Sequence, residues 1–352
     1  FGQYDNAQAT SVYRWGVGPH YDGLFTQSNL GVIVEATIWL MPRPAYMQFF
    51  ACRVEREEDL APLLDAFRVL RLAGTINSAM HIGNDYKIVS AIQGYPYREA
   101  EGRTPLPPEV LAEKVKEWDC GAWNVSGALY GTRAEVRAAR RRMKRFLRGK
   151  VERLRFIDER LLGLAERFAG PYQRLTGLNL TEMLRVLKPV FGMTRGEPSA
   201  DMLTSSYWRK QALPPVSADF SAERDNCGVM WLPPAAPTGG KHAEAIWHIT
   251  RDTMLRHGFE PAVSITLISE RAMDCVVNVS YDRDVPGEDA RAMACHDDML
   301  RQFCDAGYYP YRLGIQAMGK MPPRSEGYER LMGGIRKELD PNGILAPGRY
   351  LD

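Results

Sequence analysis

Between Val229 and Phe303 the apolar residues of this chain change period repeatedly, and that switching limits the folds open to it. Val229 to Leu232 reads as a strand, Lys241 to His257 as a helix stopped by Gly258, and Val263 to Ile268 and Asp274 to Tyr281 as strands. Pro286 then leads a helix from Glu288 to Phe303, in which Ala292, Met293, Met299, Leu300 and Phe303 form one apolar stripe. The first half keeps the same rhythm. Tyr46 to Val54 predicts a strand, and Glu55 to Leu72 spaces Leu60, Leu64, Phe67 and Leu70 at helical intervals. Ala122 to Tyr130 predicts a further strand, and Thr132 with Glu135 forms a capping box for a helix through Leu147, stopped by Gly149. Two β-α-β-like halves of this kind predict an α+β fold, an antiparallel sheet with helices on one face.

Upstream, Gly31 to Met41 is dense in Val and Ile and predicts a largely buried strand closed by Pro42 and Pro44. In the middle, Pro214, Pro215, Pro233, Pro234 and Pro237 mark a loop-rich stretch through which no long helix continues. At 352 residues the chain exceeds what one hydrophobic core organises, so two regions are expected. Its 45 basic and 43 acidic side chains leave a net charge of +2, too balanced for bulk attraction to nucleic acid or anionic lipid. No apolar run is long enough to span a membrane, since Glu35 and Thr37 break the longest one. The chain begins at Phe1 and no signal peptide can be read, which leaves periplasm and cytoplasm both open.

Metal chemistry finds little support. Six cysteines occur without any CxxC pair and read as small buried or half-buried thiols. His242, His248 and His257 are not spaced to share one helix face as an i, i+4 ligand pair is. The string PTGGKH from Pro237 to His242 lacks the first Gly of a phosphate loop and the hydroxyl residue after Lys241, and reads as a turn before a helix. The basic run Arg140, Arg141, Arg142, Lys144, Arg145 and Arg148 reads as a solvated face opposite Val136, Met143 and Phe146. Its sharper reading is a docking surface for an acidic partner.

Three strings carry more specific information. QSNLGVIVE, from Gln27 to Glu35, puts Asn29 and Gly31 where a missing Cβ lets the backbone approach a ligand. GYYPYRLGIQAM, from Gly307 to Met318, places Tyr311 and Arg312 after a proline. In DPNGILAPGR, Asp340 to Gly343 have the order of a tight turn that would deliver Arg349 to a defined place. With these strings the chain resembles, nearly end to end, the flavoprotein family of vanillyl-alcohol oxidase and p-cresol methylhydroxylase.

The resemblance implies that residues 1–44 end an FAD-binding domain, 45–305 form a cap or substrate domain, and 306–352 return to the FAD and active site. It implies FAD contact by Asn29, Gly31, Val32 and Arg349, and catalytic roles for Tyr311, Arg312 and Arg349. Tyr311 and Arg312 would hold a para-substituted phenol as phenolate. Added electron density in the ring then weakens the benzylic C–H bond toward hydride loss to flavin N5, giving a quinone methide that water hydroxylates. Adjacent residues of a regular strand point to opposite faces, so this clamp requires irregular backbone, for which Pro310 is suited.

The implied partners are a small phenolic substrate, a cytochrome c subunit or oxygen as electron acceptor, and a second copy in a homodimer. Relatives that bind FAD covalently use a histidine or tyrosine. Here Val229 and Ser221 occupy the aligned positions, so non-covalent FAD is expected, with Cys227 a remote thioether candidate. Relatives also carry a histidine before the VxxxxYDR stretch, where this chain has Met273, Asp274 and Cys275. The family's pyrophosphate-binding glycine loop and its other phenol-binding tyrosine lie outside this chain, which alone is expected to be inactive. The alternatives are an FAD-linked 2-hydroxy-acid dehydrogenase, or a flavin-binding protein whose catalysis has drifted.

Overall fold

The computed structural model describes residue 4 and residues 6–13, 15–176, 180–212 and 221–351; Pro214 and Pro215 of the proline-rich stretch lie outside the described residues. The first elements are β1 (Tyr46–Val54), α1 (Leu60–Leu72), β2 (Met80–Asn84), α2 (Asp85–Ile92) and α3 (Pro108–Glu117). Next come β3 (Trp123–Gly131), α4 (Arg133–Phe146), β4 (Glu152–Ile157), α5 (Glu159–Thr176) and α6 (Leu180–Thr194). The later part runs β5 (Cys227–Leu232), β6 (Ala235–Pro237), α7 (Gly240–Arg256), β7 (Val263–Leu267), β8 (Ala272–Asp282), α8 (Glu288–Asp305) and α9 (Glu326–Leu339).

The chain divides into two units: Pro44–Tyr311, and Phe1–Arg43 together with Arg312–Asp352. The larger unit is built on one antiparallel sheet in the order β4-β1-β3-β2-β7-β8-β5, with β6 pairing to β8 beyond the end of β5. Local chemistry accounts for its elements. Thr132 and Glu135 complete the reciprocal capping box that starts α4. Gly149 and Gly258 take positive φ soon after α4 and α7. On α8, Ala292, Met299, Leu300 and Phe303 are buried as the apolar stripe requires.

β1 serves two cores. Phe50 stacks on Phe67 of α1, with ring centroids 6.2 Å apart. Phe49, one residue earlier and therefore on the opposite face, packs with Leu162 and Ala169 of α5 and Leu184 and Phe191 of α6. Helices thus cover both faces at the β1 end of the sheet, where the sequence pattern predicts one face. The pattern misses this because a doubly buried strand loses its alternation.

The PTGGKH string has a packing role. A Cβ on Gly240 would lie 2.6 Å from the Ala61 carbonyl oxygen, so α1 and α7 approach backbone to backbone there. The Gly240 N–H donates to Asp65 Oδ1 at 2.9 Å. His242 Nδ1 lies 3.0 Å from the Tyr308 hydroxyl, and His257 Nε2 lies 3.2 Å from Asp298 Oδ2. Among the described residues no His, Cys, Asp and Glu cluster could hold a metal, and no helix is long and apolar enough to cross a membrane.

In the smaller unit, Leu30, Met332 of α9 and Leu351 form a core, with Leu24, Ile335 and Tyr350 packed against it. The predicted strand from Gly31 to Met41 is not formed. It has no regular secondary structure and makes no main-chain hydrogen bond among the described residues. Val34 is 93% exposed and Leu40 81%. Composition favours a strand there, but a strand exists only when a neighbour completes its ladder, and no neighbour does so among the described residues.

Candidate active site

In the smaller unit the C-terminal loop carries Arg349 and is held by Asn29, two of the residues nominated for cofactor contact. Asp340 Oδ1 accepts from the Ile344 N–H at 3.0 Å and Oδ2 from the Leu345 N–H at 2.8 Å. These two donors hold its carboxyl below the usual value. The Gly343 N–H donates to the Asp340 carbonyl at 3.1 Å and Gly343 takes a φ of 63°, closing the DPNG turn. Farther on, Ala346 and Tyr350 take positive φ without being glycine.

Asn29 fastens to this loop. Its Nδ2 donates to the carbonyls of Leu345 at 3.3 Å and Leu351 at 3.1 Å. The residue is 3% exposed, and its Oδ1 is buried with no hydrogen-bond partner among the described residues. A Cβ on Gly31 would stand 3.1 Å from the Phe25 ring. Val32 is 77% exposed, and Arg349 is half-buried.

A flavin dinucleotide suits this donor set. The orphaned Oδ1 of Asn29 is an acceptor that a ligand N–H can satisfy, and the unpaired main chain after Gly31 offers donors and acceptors. Arg349 supplies a positive charge on the same loop.

Tyr311 ends the larger unit and Arg312 begins the return to the smaller one. The Ala235 N–H donates to the Tyr309 carbonyl at 2.9 Å, Pro234 bridges Pro310, and the Tyr311 N–H donates to the Pro233 carbonyl at 3.1 Å. At Tyr311 and Arg312 the backbone bends instead of continuing as a strand. Tyr311 is 38% exposed.

These contacts fix the Tyr311 segment beside β6 and β8, at an end of the sheet where one face carries part-exposed side chains. On β5, Val229 and Trp231 are exposed there, while Cys227 is buried and burial pushes its thiol up to about 11. On β8, Asp274, Val276, Asn278 and Ser280 alternate with the buried Met273, Cys275, Val277 and Val279. Sequence reading passed over His81, Thr266 and Asn278. The only available signal was the two-residue alternation of β7 and β8, which reveals a face and not its use.

No family model matches this chain. It is 41% identical over 353 residues to 1'-carboxy-chondrochloren decarboxylase of Chondromyces crocatus, covering 99% of this chain and 64% of that protein. It is 28% identical to the 4-cresol dehydrogenase [hydroxylating] flavoprotein subunit of Pseudomonas putida, covering 99% and 60%. The structure of p-cresol methylhydroxylase with substrate bound superposes with a TM-score of 0.79 at 25% identity, over 99% of this chain and 61% of that one. 4-Ethylphenol oxidase from Gulosibacter chungangensis, in its isoeugenol complex, shares the fold with a TM-score of 0.77 at 23% identity, over 99% and 62%. The chain therefore spans about three fifths of the length of these relatives. By fold and by sequence likeness along nearly its whole length, the chain is similar to the C-terminal part of the p-cresol methylhydroxylase and 4-ethylphenol oxidase flavoproteins.

Proposed function

We propose that this chain is the substrate-binding part of an FAD-dependent oxidoreductase that oxidises para-substituted phenols. The observation that carries the reading is the anchored bend at Tyr311 and Arg312, which follows Pro310 and interrupts the strand geometry that would point the two side chains apart. The Tyr311 hydroxyl and the Arg312 guanidinium hold the phenol oxygen as phenolate, since a charge-assisted donor pair stabilises an anion best away from water. Bound FAD supplies the hydride acceptor. Asn29, Gly31, Val32 and Arg349 hold the cofactor non-covalently, because Val229 and Ser221 cannot form a tether and Cys227 is buried as a neutral thiol. Yellow colour remaining in an acid-precipitated pellet would contradict this.

Hydride loss from the benzylic carbon leaves a quinone methide. Water addition converts it to a benzylic alcohol, the outcome named in 4-cresol dehydrogenase [hydroxylating]. A second reading is favoured by the 41% identity to a decarboxylase. If the para side chain carries a carboxylate on the carbon next to the benzylic one, the C–C bond to CO2 breaks. Its electron pair forms the side-chain alkene and restores the aromatic phenolate, so no water is added.

Anaerobic flavin bleaching of the complete protein tests both readings. 4-Ethylphenol yielding the alcohol supports hydroxylation, whereas 3-(4-hydroxyphenyl)propanoate yielding 4-vinylphenol and CO2 supports decarboxylation. Bleaching by lactate alone overturns both and favours a 2-hydroxy-acid dehydrogenase.

As partner we propose an acidic cytochrome c that docks on α4 as electron acceptor. Arg137, Arg141, Arg142, Arg145 and Arg148 lie exposed there without an ion pair among the described residues. A homodimer is proposed by likeness to the family.

A further inference from the structure

Register partners on five strands fall into one line across a single face of the larger unit's sheet, polar from Ser126 to Asp274 and ending at Ala235. Ser126 of β3 pairs with His81 of β2, His81 with Thr266 of β7, Thr266 with Asp274 of β8, and Asp274 with Ala235 of β6. Directly opposed residues of an antiparallel sheet share a face, with Cβ atoms about 4.5–5.5 Å apart. Within the line, His81 Nδ1 lies 3.1 Å from Thr266 Oγ1. At one end the Ala235 N–H donates to the Tyr309 carbonyl, two residues before Tyr311. Toward the other end the His81 side chain reaches solvent.

We propose that Asp274, Thr266 and His81 form a proton path that leads from the Tyr311 end of the sheet face to solvent. The proposal rests on the phenol-oxidation reading, which requires a proton to leave the site. When water adds to the quinone methide, its oxygen bonds to the benzylic carbon and one O–H bond breaks. The exocyclic C=C electron pair returns to the ring, the phenol oxygen becomes phenolate, and the proton passes to the Asp274 carboxylate. Asp274 then protonates the Thr266 hydroxyl, which gives its own proton to His81 Nδ1, and His81 releases its Nε2 proton to solvent.

Burial raises the proton affinity of Asp274 and lowers that of His81, although the imidazole keeps one side open to water. The two groups are thereby brought closer in affinity, which favours transfer in both directions. Among the described residues the Asp274 side chain has neither an ion pair nor a hydrogen bond, so its carboxyl can turn to the opposed Thr266 hydroxyl, the step that closes the path.

The test is made on the complete holoprotein with 4-ethylphenol, recording flavin bleaching and proton release to an indicator dye together. Thr266→Val and His81→Gln are expected to delay proton release relative to bleaching by about 10-fold or more. Thr266→Ser restores the wild-type ratio, and added imidazole restores it in His81→Gln. Unchanged ratios in both variants overturn the path while leaving the phenol reading intact. If no para-substituted phenol bleaches the wild type, the phenol reading fails and histidine-selective NMR decides the path alone. Asp274→Asn must then shift the His81 ring signals, and Thr266→Val must abolish that shift; an unmoved His81 signal overturns the path.

Discussion

The backbone N–H of Tyr311 donates to the carbonyl of Pro233 at 3.1 Å, an anchor at the end of β5 that does not use the phenol hydroxyl. Tyr311→Phe therefore removes a hydroxyl without moving its anchor. Flavin reduction by a 4-alkylphenol is expected to slow by about 100-fold, the usual effect of deleting one donor to a developing oxyanion. Stopped-flow bleaching with a parallel melting curve checks this, and wild-type rates in a folded variant would remove Tyr311 from the site.

Asn29 joins two parts of the smaller unit that are far apart in sequence, through the carbonyls of Leu345 and Leu351. Asn29→Ala removes a donor from both carbonyls, leaving that of Leu351 to Arg336 alone, and is expected to cost about 1–3 kcal/mol. It also removes the orphaned Oδ1 proposed for the cofactor. Urea unfolding and the FAD retained after gel filtration report the two effects separately. Full stability with full FAD content would refute both roles.

Gly240→Ala pushes a methyl group to 2.6 Å from the Ala61 carbonyl, where only backbone movement relieves the clash. Overpacking of this kind typically costs about 1–3 kcal/mol. A matched change at Gly149, where nothing lies near the new Cβ, controls for size but carries the strain of a positive φ. Chemical denaturation that leaves Gly240→Ala at wild-type stability would mean that α1 and α7 are not in close contact.

The Asp340 carboxyl is held low by the N–H groups of Leu345 and Ile344. A carboxylate with a depressed folded pKa stabilises the fold fully above its unfolded value, near 3.8 here, and loses that contribution as pH falls through the lower folded value. Asp340→Asn is therefore expected to be less stable than wild type at neutral pH, with the gap narrowing in acid. Melting curves across that range show the sign, and a gap that widens in acid would be incompatible with these hydrogen bonds.

Much of the larger unit was legible because local rules act within a few residues. The TxxE box at Thr132 started α4, Gly258 marked the end of α7, and the apolar stripe of α8 faced its core. The DPNG order likewise specified the turn at Asp340. The candidate clamp at Tyr311 and Arg312 was legible only through family likeness, since a Tyr-Arg dipeptide carries no chemistry until its surroundings are known.

Tertiary structure decided the rest, for reasons that no local window contains. Val and Ile between Gly31 and Met41 favour a strand, but pairing comes from a neighbour, and that segment stays unpaired among the described residues and exposed. Phe49 and Phe50 read as one apolar run until α5 and α6 cover one face and α1 the other. His81, Thr266 and Asp274 lie far apart in the chain and become neighbours only through the registers of β2, β7 and β8. Register is a property of strand pairs, fixed by packing across the whole sheet, and so the polar line that most extends the chemistry of this protein exists only once the sheet has formed.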